Sequence, residues 1–207
     1  MSWKLAGAAG VLLVALTVTA RLAQSGESGT ATWDASRASG FAAYMLLWAS
    51  TASGVAIHMR LRPSGGPLAV VLELHRVTST LALAFVAVHV TALLLDPVVH
   101  FAPIDVVLPF TSGYRPLAVG LGTLAQWLLV AVLSSTALAG RLSYGAWRRL
   151  HYLSFPCYAL ALAHGVLAGT SSDDGTALIL YAATAAGLAA VAVVRLAGRG
   201  WVTAGEA

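Results

Sequence analysis

Apolar residues gather in six long runs along this chain, at 5–20, 41–59, 68–95, 117–139, 150–169 and 176–196, each bounded by charge, proline or glycine. About 20 apolar residues suffice for an α-helix to cross the hydrocarbon core, and a helix satisfies its own backbone polar groups inside lipid. The pattern therefore predicts an all-α membrane protein, a six-transmembrane-helix bundle forming one domain over residues 1–207. The first run also has features of a signal peptide, with Lys4 ahead of it and small residues near Ala20. Its removal would leave an odd number of spans and spoil the charge pattern, so the expectation is that it is retained.

Charge gives the bundle a direction. With the N-terminus in the cytoplasm, Lys4, Arg60, Arg62, Arg76, Arg141, Arg148, Arg149, Arg195 and Arg199 all fall at the inner face. Only Arg21, Arg37 and Arg115 fall outside, together with Glu27, Asp34, Asp96, Asp105, Asp173 and Asp174. Nine basic residues against three is a positive-inside pattern, which predicts an N-in, C-in protein of the inner (plasma) membrane.

Composition agrees. The chain is 58% hydrophobic and 10% charged, far from a soluble domain, and its mean hydropathy is +0.81. Six spans and short loops use up the 207 residues, so any nucleotide chemistry is expected on another chain. The net charge of +4 is accounted for by topology, and no nucleic-acid partner is expected. One cysteine, Cys157, lies in an apolar run, which predicts a buried thiol and leaves no disulfide framework within one chain. The outer loop from Asp96 to Pro116 is long and apolar, with Pro97, Pro103 and Pro109; it reads either as a lid over an outward-facing site or as a loop packed among headgroups.

The chemistry lies in four of the six histidines. His75 and His89 fall in the third run, His151 and His164 in the fifth. Ionisable groups in hydrocarbon are costly and mark functional sites more often than ordinary packing. Both runs cross from inside to outside, and a rise of about 1.5 Å per residue separates the members of each run by roughly 20 Å. His75 and His151 thus lie near the inner ends, His89 and His164 near the outer ends. Neighbouring packing would create two bis-histidine sites at two depths, and neutral imidazole is a suitable axial ligand for haem iron. The helical phases fit unequally: His89 lies within roughly 40° of His75, whereas His164 lies roughly 140° from His151 on an ideal helix. Pro156 stands between the latter two and is able to kink or rewind that helix. Zinc would demand four converging ligands. Proton-relay histidines of a proton-coupled transporter are the stronger rival, although the spans carry almost no acidic partners.

These spacings, His75-x13-His89 and His151-x12-His164, resemble the ferric reductase-like transmembrane domain. That family includes NADPH oxidases, ferric reductases and the haem-binding membrane subunit of the methionine sulfoxide reductase system. Supporting matches are Leu74-His75-Arg76, Val107-Leu108-Pro109-Phe110, Tyr114-Arg115-Pro116, Trp147-Arg148-Arg149-Leu150-His151 and His164-Gly165, and the resemblance extends over residues 35–195. It is strongest to the stand-alone bacterial type. The resemblance implies haem b at two sites, His75 with His151 inside and His89 with His164 outside, and electron transfer outward. It also implies an arginine beside the outer haem at Arg37, in Ser36-Arg37-Ala38-Ser39-Gly40, whose plain alternative is interfacial snorkelling. Arg115 has the same two readings. Arg60, Arg62 and Arg148 are candidates to pair with inner haem propionates, as guanidinium suits carboxylates.

Unlike the oxidases, this sequence carries no flavin or nicotinamide domain after its last run. Flavin is therefore expected only through a partner chain: the donor is a separate flavoprotein reductase or a membrane quinol, the other partner is membrane lipid, and a homo-oligomer is left open. No catalytic residue is assigned. His58 and His100 read as interfacial residues. Phe85, Trp127 and Tyr158 are aromatic residues that could lie between the two sites, and Glu73 reads as part of an ion pair near His75. Small residues from 182 to 192 suit close packing of the last span.

Overall fold

The computed structural model describes residues 31–59, 68–169 and 175–204, and among these there is no strand. The helices are α1 (Ala31–His58), α2 (Leu68–Leu94), a short α3 (Pro103–Val107), α4 (Pro116–Ala137), α5 (Tyr144–His151), α6 (Ser154–Ala168) and α7 (Thr176–Ala204), with a 3-10 turn at Ala139–Arg141. Among the described residues, four segments are long and apolar enough to cross a membrane: α1, α2, α4, and the α5–α6 segment Tyr144–Ala168. A shorter apolar stretch, Ala177–Val191, lies in α7. The predicted span at 5–20 falls outside the described residues, as do Arg60, Arg62, Asp173 and Asp174.

Two helix boundaries differ from the apolar runs. Helix α1 begins at Ala31, well before the run at 41, since its early serines do not leave their hydroxyls idle in the helix: Ser39 donates to the Ala35 carbonyl at 2.6 Å. The predicted span at 150–169 is two helices. Pro156 has no amide to offer the Tyr152 carbonyl, which accepts instead from Phe155 at 3.1 Å, while the Leu153 amide bonds to Leu150 at 3.0 Å. These three-residue turns tighten the chain at Tyr152 and Leu153 and rotate α6 relative to α5. The phase mismatch between His151 and His164 is absorbed at this break.

Side-chain contacts fix the packing directions. Ser36 meets His89 and Ser50 meets His75, so α1 and α2 are antiparallel. Ala118 meets His164 and Ala125 meets Cys157, so α4 and α6 are antiparallel too. Helices α2 and α6 run the same way side by side, as the contacts His75–His151 and His89–His164 require. The core where they meet contains Tyr44, Leu47, Ala82, Leu129, Cys157 and Tyr158. Large apolar side chains such as Val70, Leu72, Leu178 and Ile179 face outward, as expected where the solvent is lipid.

The loop after α2 is tied down at both ends. Asp96 is buried and accepts from the Val98 and Val99 amides, each at 2.9 Å, and from the Thr32 hydroxyl at 2.8 Å. Burial opposes its ionisation, but these donors outweigh it and hold the carboxyl below its ordinary range. Further on, buried Asp105 accepts from the Ala102 amide and the Thr111 hydroxyl, and the Trp127 indole donates to the Val107 carbonyl at 3.0 Å. The Phe110 ring, on a backbone of φ 69°, lies where a side chain at Gly120 would otherwise be.

Candidate functional site

The four intramembrane histidines form two pairs. His75 and His151 have ring centres 5.9 Å apart, inclined at 67°. His89 and His164 have ring centres 6.1 Å apart, inclined at 79°. Two imidazoles on opposite sides of one metal ion, each with a ring nitrogen about 2 Å from it, place their ring centres roughly 6 Å apart. Among the described residues no third histidine, cysteine or carboxylate joins either pair to form a metal cluster. Each pair would fit a group that takes two imidazole nitrogens, and offers fewer ligands than tetrahedral zinc needs.

Backbone carbonyls orient three of the four rings. His89 Nδ1 is 2.8 Å from the Ser36 carbonyl, His75 Nδ1 is 2.8 Å from the Ser50 carbonyl, and His164 Nδ1 is 2.8 Å from the Ala118 carbonyl. A carbonyl only accepts, so in each case Nδ1 carries the proton and donates. Nε2 of the neutral ring is then left as the free lone pair, the tautomer that suits a metal-bound histidine whose other nitrogen donates to a carbonyl. His151 is the exception. Its Nδ1 is buried without a partner, as is the Trp147 indole nitrogen, and the two rings stack with centres 5.1 Å apart.

A cavity of about 520 Å³ opens on the His89–His164 pair. Its lining includes Tyr44, Leu129 and Cys157 together with Trp33, Arg37, Phe101 and Tyr114. Phe101, Asp105, Val106 and Tyr114 all come from the loop after α2, so this loop contributes part of the cavity wall. Arg37 reaches the cavity and lies 3.8 Å from Asp34. Arg115 is turned elsewhere: its guanidinium donates to the Leu167 carbonyl at 2.9 Å, near the C-terminal end of α6 where a cation is favoured. Arg148 is exposed and donates to the Tyr152 hydroxyl at 2.8 Å. His100 is exposed, with Nδ1 on the Val98 carbonyl, and His58 ends α1. Trp127 is anchored to the loop, whereas Tyr158 lies in the core, stacked on Tyr44 with ring centres 5.8 Å apart.

The carbonyl-bearing residues are what inspection of the histidines alone misses. A signal for them exists in the sequence: Ser36-Arg37-Ala38-Ser39-Gly40 recurs as Ser50-Thr51-Ala52-Ser53-Gly54. The interval between the two copies equals that between His75 and His89, so an antiparallel α1 presents one copy to each histidine.

The family model described as ferric reductase like transmembrane component matches residues 39–162, more than half of the chain. No curated protein and no solved structure matches the chain. The matched stretch begins three residues after Ser36 and ends within α6, two residues short of His164, so it takes in three of the four paired histidines and most of the helices that orient them. By that match, the chain belongs to the ferric reductase-like transmembrane component family.

Proposed function

We propose that this chain is a b-type transmembrane cytochrome, carrying electrons from a cytoplasmic or membrane donor to an acceptor on the outer face of the plasma membrane. The observation that carries this reading is the two histidine pairs, with ring centres 5.9 and 6.1 Å apart and Nδ1 of His75, His89 and His164 donating to carbonyls. Bound haem iron would supply reversible one-electron chemistry at each site. His75 with His151 would hold an inner haem, and His89 with His164 an outer one. Arg37, which lines the cavity beside the His89–His164 pair, would receive a propionate there. Arg60, Arg62 and Arg148 remain the candidates on the inner side, while Arg115 fastens the outer loop to α6. The topology that goes with this reading has six spans, N-in and C-in, and the donor is a separate flavoprotein or a quinol.

The test is the visible spectrum of the detergent-purified protein, expressed with ample haem, before and after dithionite. The expected result is a reduced b-type spectrum with two haems per chain, falling to one in His89→Ala and in His164→Ala. Haem-free protein under these conditions would sink the proposal and favour the transporter reading, in which the histidines relay protons.

A further inference from the structure

Each carbonyl that holds a histidine is followed, four residues later on the same helix, by a glycine. Ser36 is followed by Gly40, Ser50 by Gly54 and Ala118 by Gly122. In an α-helix the carbonyl of one residue points toward the amide of the fourth one on, so a ring bonded to that carbonyl lies across that later residue. The distances bear this out. A Cβ built on Gly40 would lie 2.8 Å from His89 Nδ1, on Gly54 3.1 Å from His75 Cε1, and on Gly122 2.6 Å from His164 Nδ1. Real Cβ atoms do not approach within 3 Å, so at Gly40 and Gly122 the ring or the helix must move.

The two copies on α1 match in a further detail. Ser39 donates to the Ala35 carbonyl at 2.6 Å and lies 3.1 Å from the Ser36 carbonyl; Ser53 donates to the Ala49 carbonyl at 2.7 Å and lies 2.9 Å from the Ser50 carbonyl. Each histidine-bound carbonyl therefore has a serine hydroxyl shared between it and its neighbour, and each serine stands immediately before the glycine. His151 supplies the converse. Among the described residues its Nδ1 has no carbonyl partner, and no glycine has a Cβ position against its ring.

We propose that Gly40, Gly54 and Gly122 are positioning residues for three of the four histidines. Their missing Cβ is what lets the imidazole lie flat enough on the helix for Nδ1 to reach the carbonyl, and this sets the direction of Nε2. The proposal rests on the haem reading above and deepens it: the helices beside the ligand-bearing pair dictate the ligand planes. Alanine otherwise favours a helix over glycine, so retention of glycine here works against local helix propensity.

The experiment uses the full chain, purified with haem, as wild type and as Gly40→Ala, Gly54→Ala, Gly122→Ala and the control Gly145→Ala, which has nothing within 4 Å of its Cβ position. Three quantities are read: the haem-to-protein ratio, the low-spin ferric EPR signals, and the reduction potential of each haem. Disturbing a ligand's hydrogen-bond partner typically weakens metal retention about 10–100-fold. Gly40→Ala and Gly122→Ala are therefore expected to take the ratio from two toward one and to move only the outer haem's signal and potential. Gly54→Ala, with the gentlest approach, is expected to move only the inner haem's signal and potential while keeping both haems. The control changes nothing. A haem-free wild type would defeat the haem reading itself. A haem-loaded wild type whose three variants keep all signals and potentials would overturn the glycine proposal alone. Loss of both haems together in every variant would also overturn it, as that is the mark of general misfolding. Should Gly40→Ala and Gly122→Ala fail to accumulate, Gly54→Ala decides the matter by the same readouts.

Discussion

Replacing Tyr44 by Phe tests what holds the helices around the two histidine pairs. Tyr44 lies on α1 between Ser36 and Ser50, buried, and its hydroxyl bonds to Tyr158 of α6 at 2.9 Å and to Thr184 of α7. Tyr44→Phe removes one oxygen and no ring contact. Thr184 keeps the carbonyls of Leu180 and Tyr181, at 2.8 and 2.9 Å, but the buried Tyr158 hydroxyl loses its partner on α1. A buried hydroxyl left unpaired costs about 1–3 kcal/mol, whereas hydrogen bonds between membrane helices average about 0.6 kcal/mol. Two such bonds and one orphan give an expected loss of about 2–4 kcal/mol. Tyr158→Phe breaks only one of the two bonds and leaves Tyr44 on Thr184, so about 0.6–1 kcal/mol is expected. The double variant should lose less than the sum, by roughly 1.5–3.5 kcal/mol, since no orphan remains and the Tyr44–Tyr158 bond is counted once. Unfolding by SDS titration of detergent-solubilised protein, followed by tryptophan fluorescence, measures all four corners of the cycle. Strict additivity, or a neutral Tyr44→Phe, would refute the network as a structural tie.

Three other outcomes are expected. On the proposed haem reading, a haem held by His75 and His151, the latter lacking a carbonyl partner, should transfer to excess apomyoglobin about 10–100-fold faster than one held by His89 and His164, and equal rates would count against the asymmetry. Asp96 has its carboxyl held below the ordinary range, so its contribution is fully present above the unfolded-state pKa of about 3.9 and is lost as pH falls through the lower folded value. Limited proteolysis of the loop between 96 and 115 should therefore accelerate below roughly pH 4, and Asp96→Asn should raise the cleavage rate at neutral pH, consistent with a loss of about 1 kcal/mol; a flat profile would contradict this. Gly120→Ala places a Cβ in the Phe110 ring and should loosen the same loop by roughly 1–3 kcal/mol, seen as faster cleavage near Phe110, while Gly113→Ala, with open space around it, should not.

Hydrophobic runs and histidine spacing were sufficient for the helical class, the depth of each histidine and the pairing of like depths. These features follow from translation along single helices, which sequence separation fixes at a constant rise. Helix rotation and side-chain partnership do not follow from it. His151 and His164 are out of phase on a straight helix, and only the break at Tyr152 and Leu153, with Pro156 withholding an amide, brings both into line with α2. Arg115 reads from sequence either as a cofactor arginine or as an interfacial one, and only the folded chain shows that its guanidinium donates to the Leu167 carbonyl. The repeated serine–glycine segment was legible all along, but its meaning required an antiparallel neighbour in register. A carbonyl becomes an orienting group only when another helix brings an imidazole within 2.8 Å of it, and that distance is a property of tertiary packing.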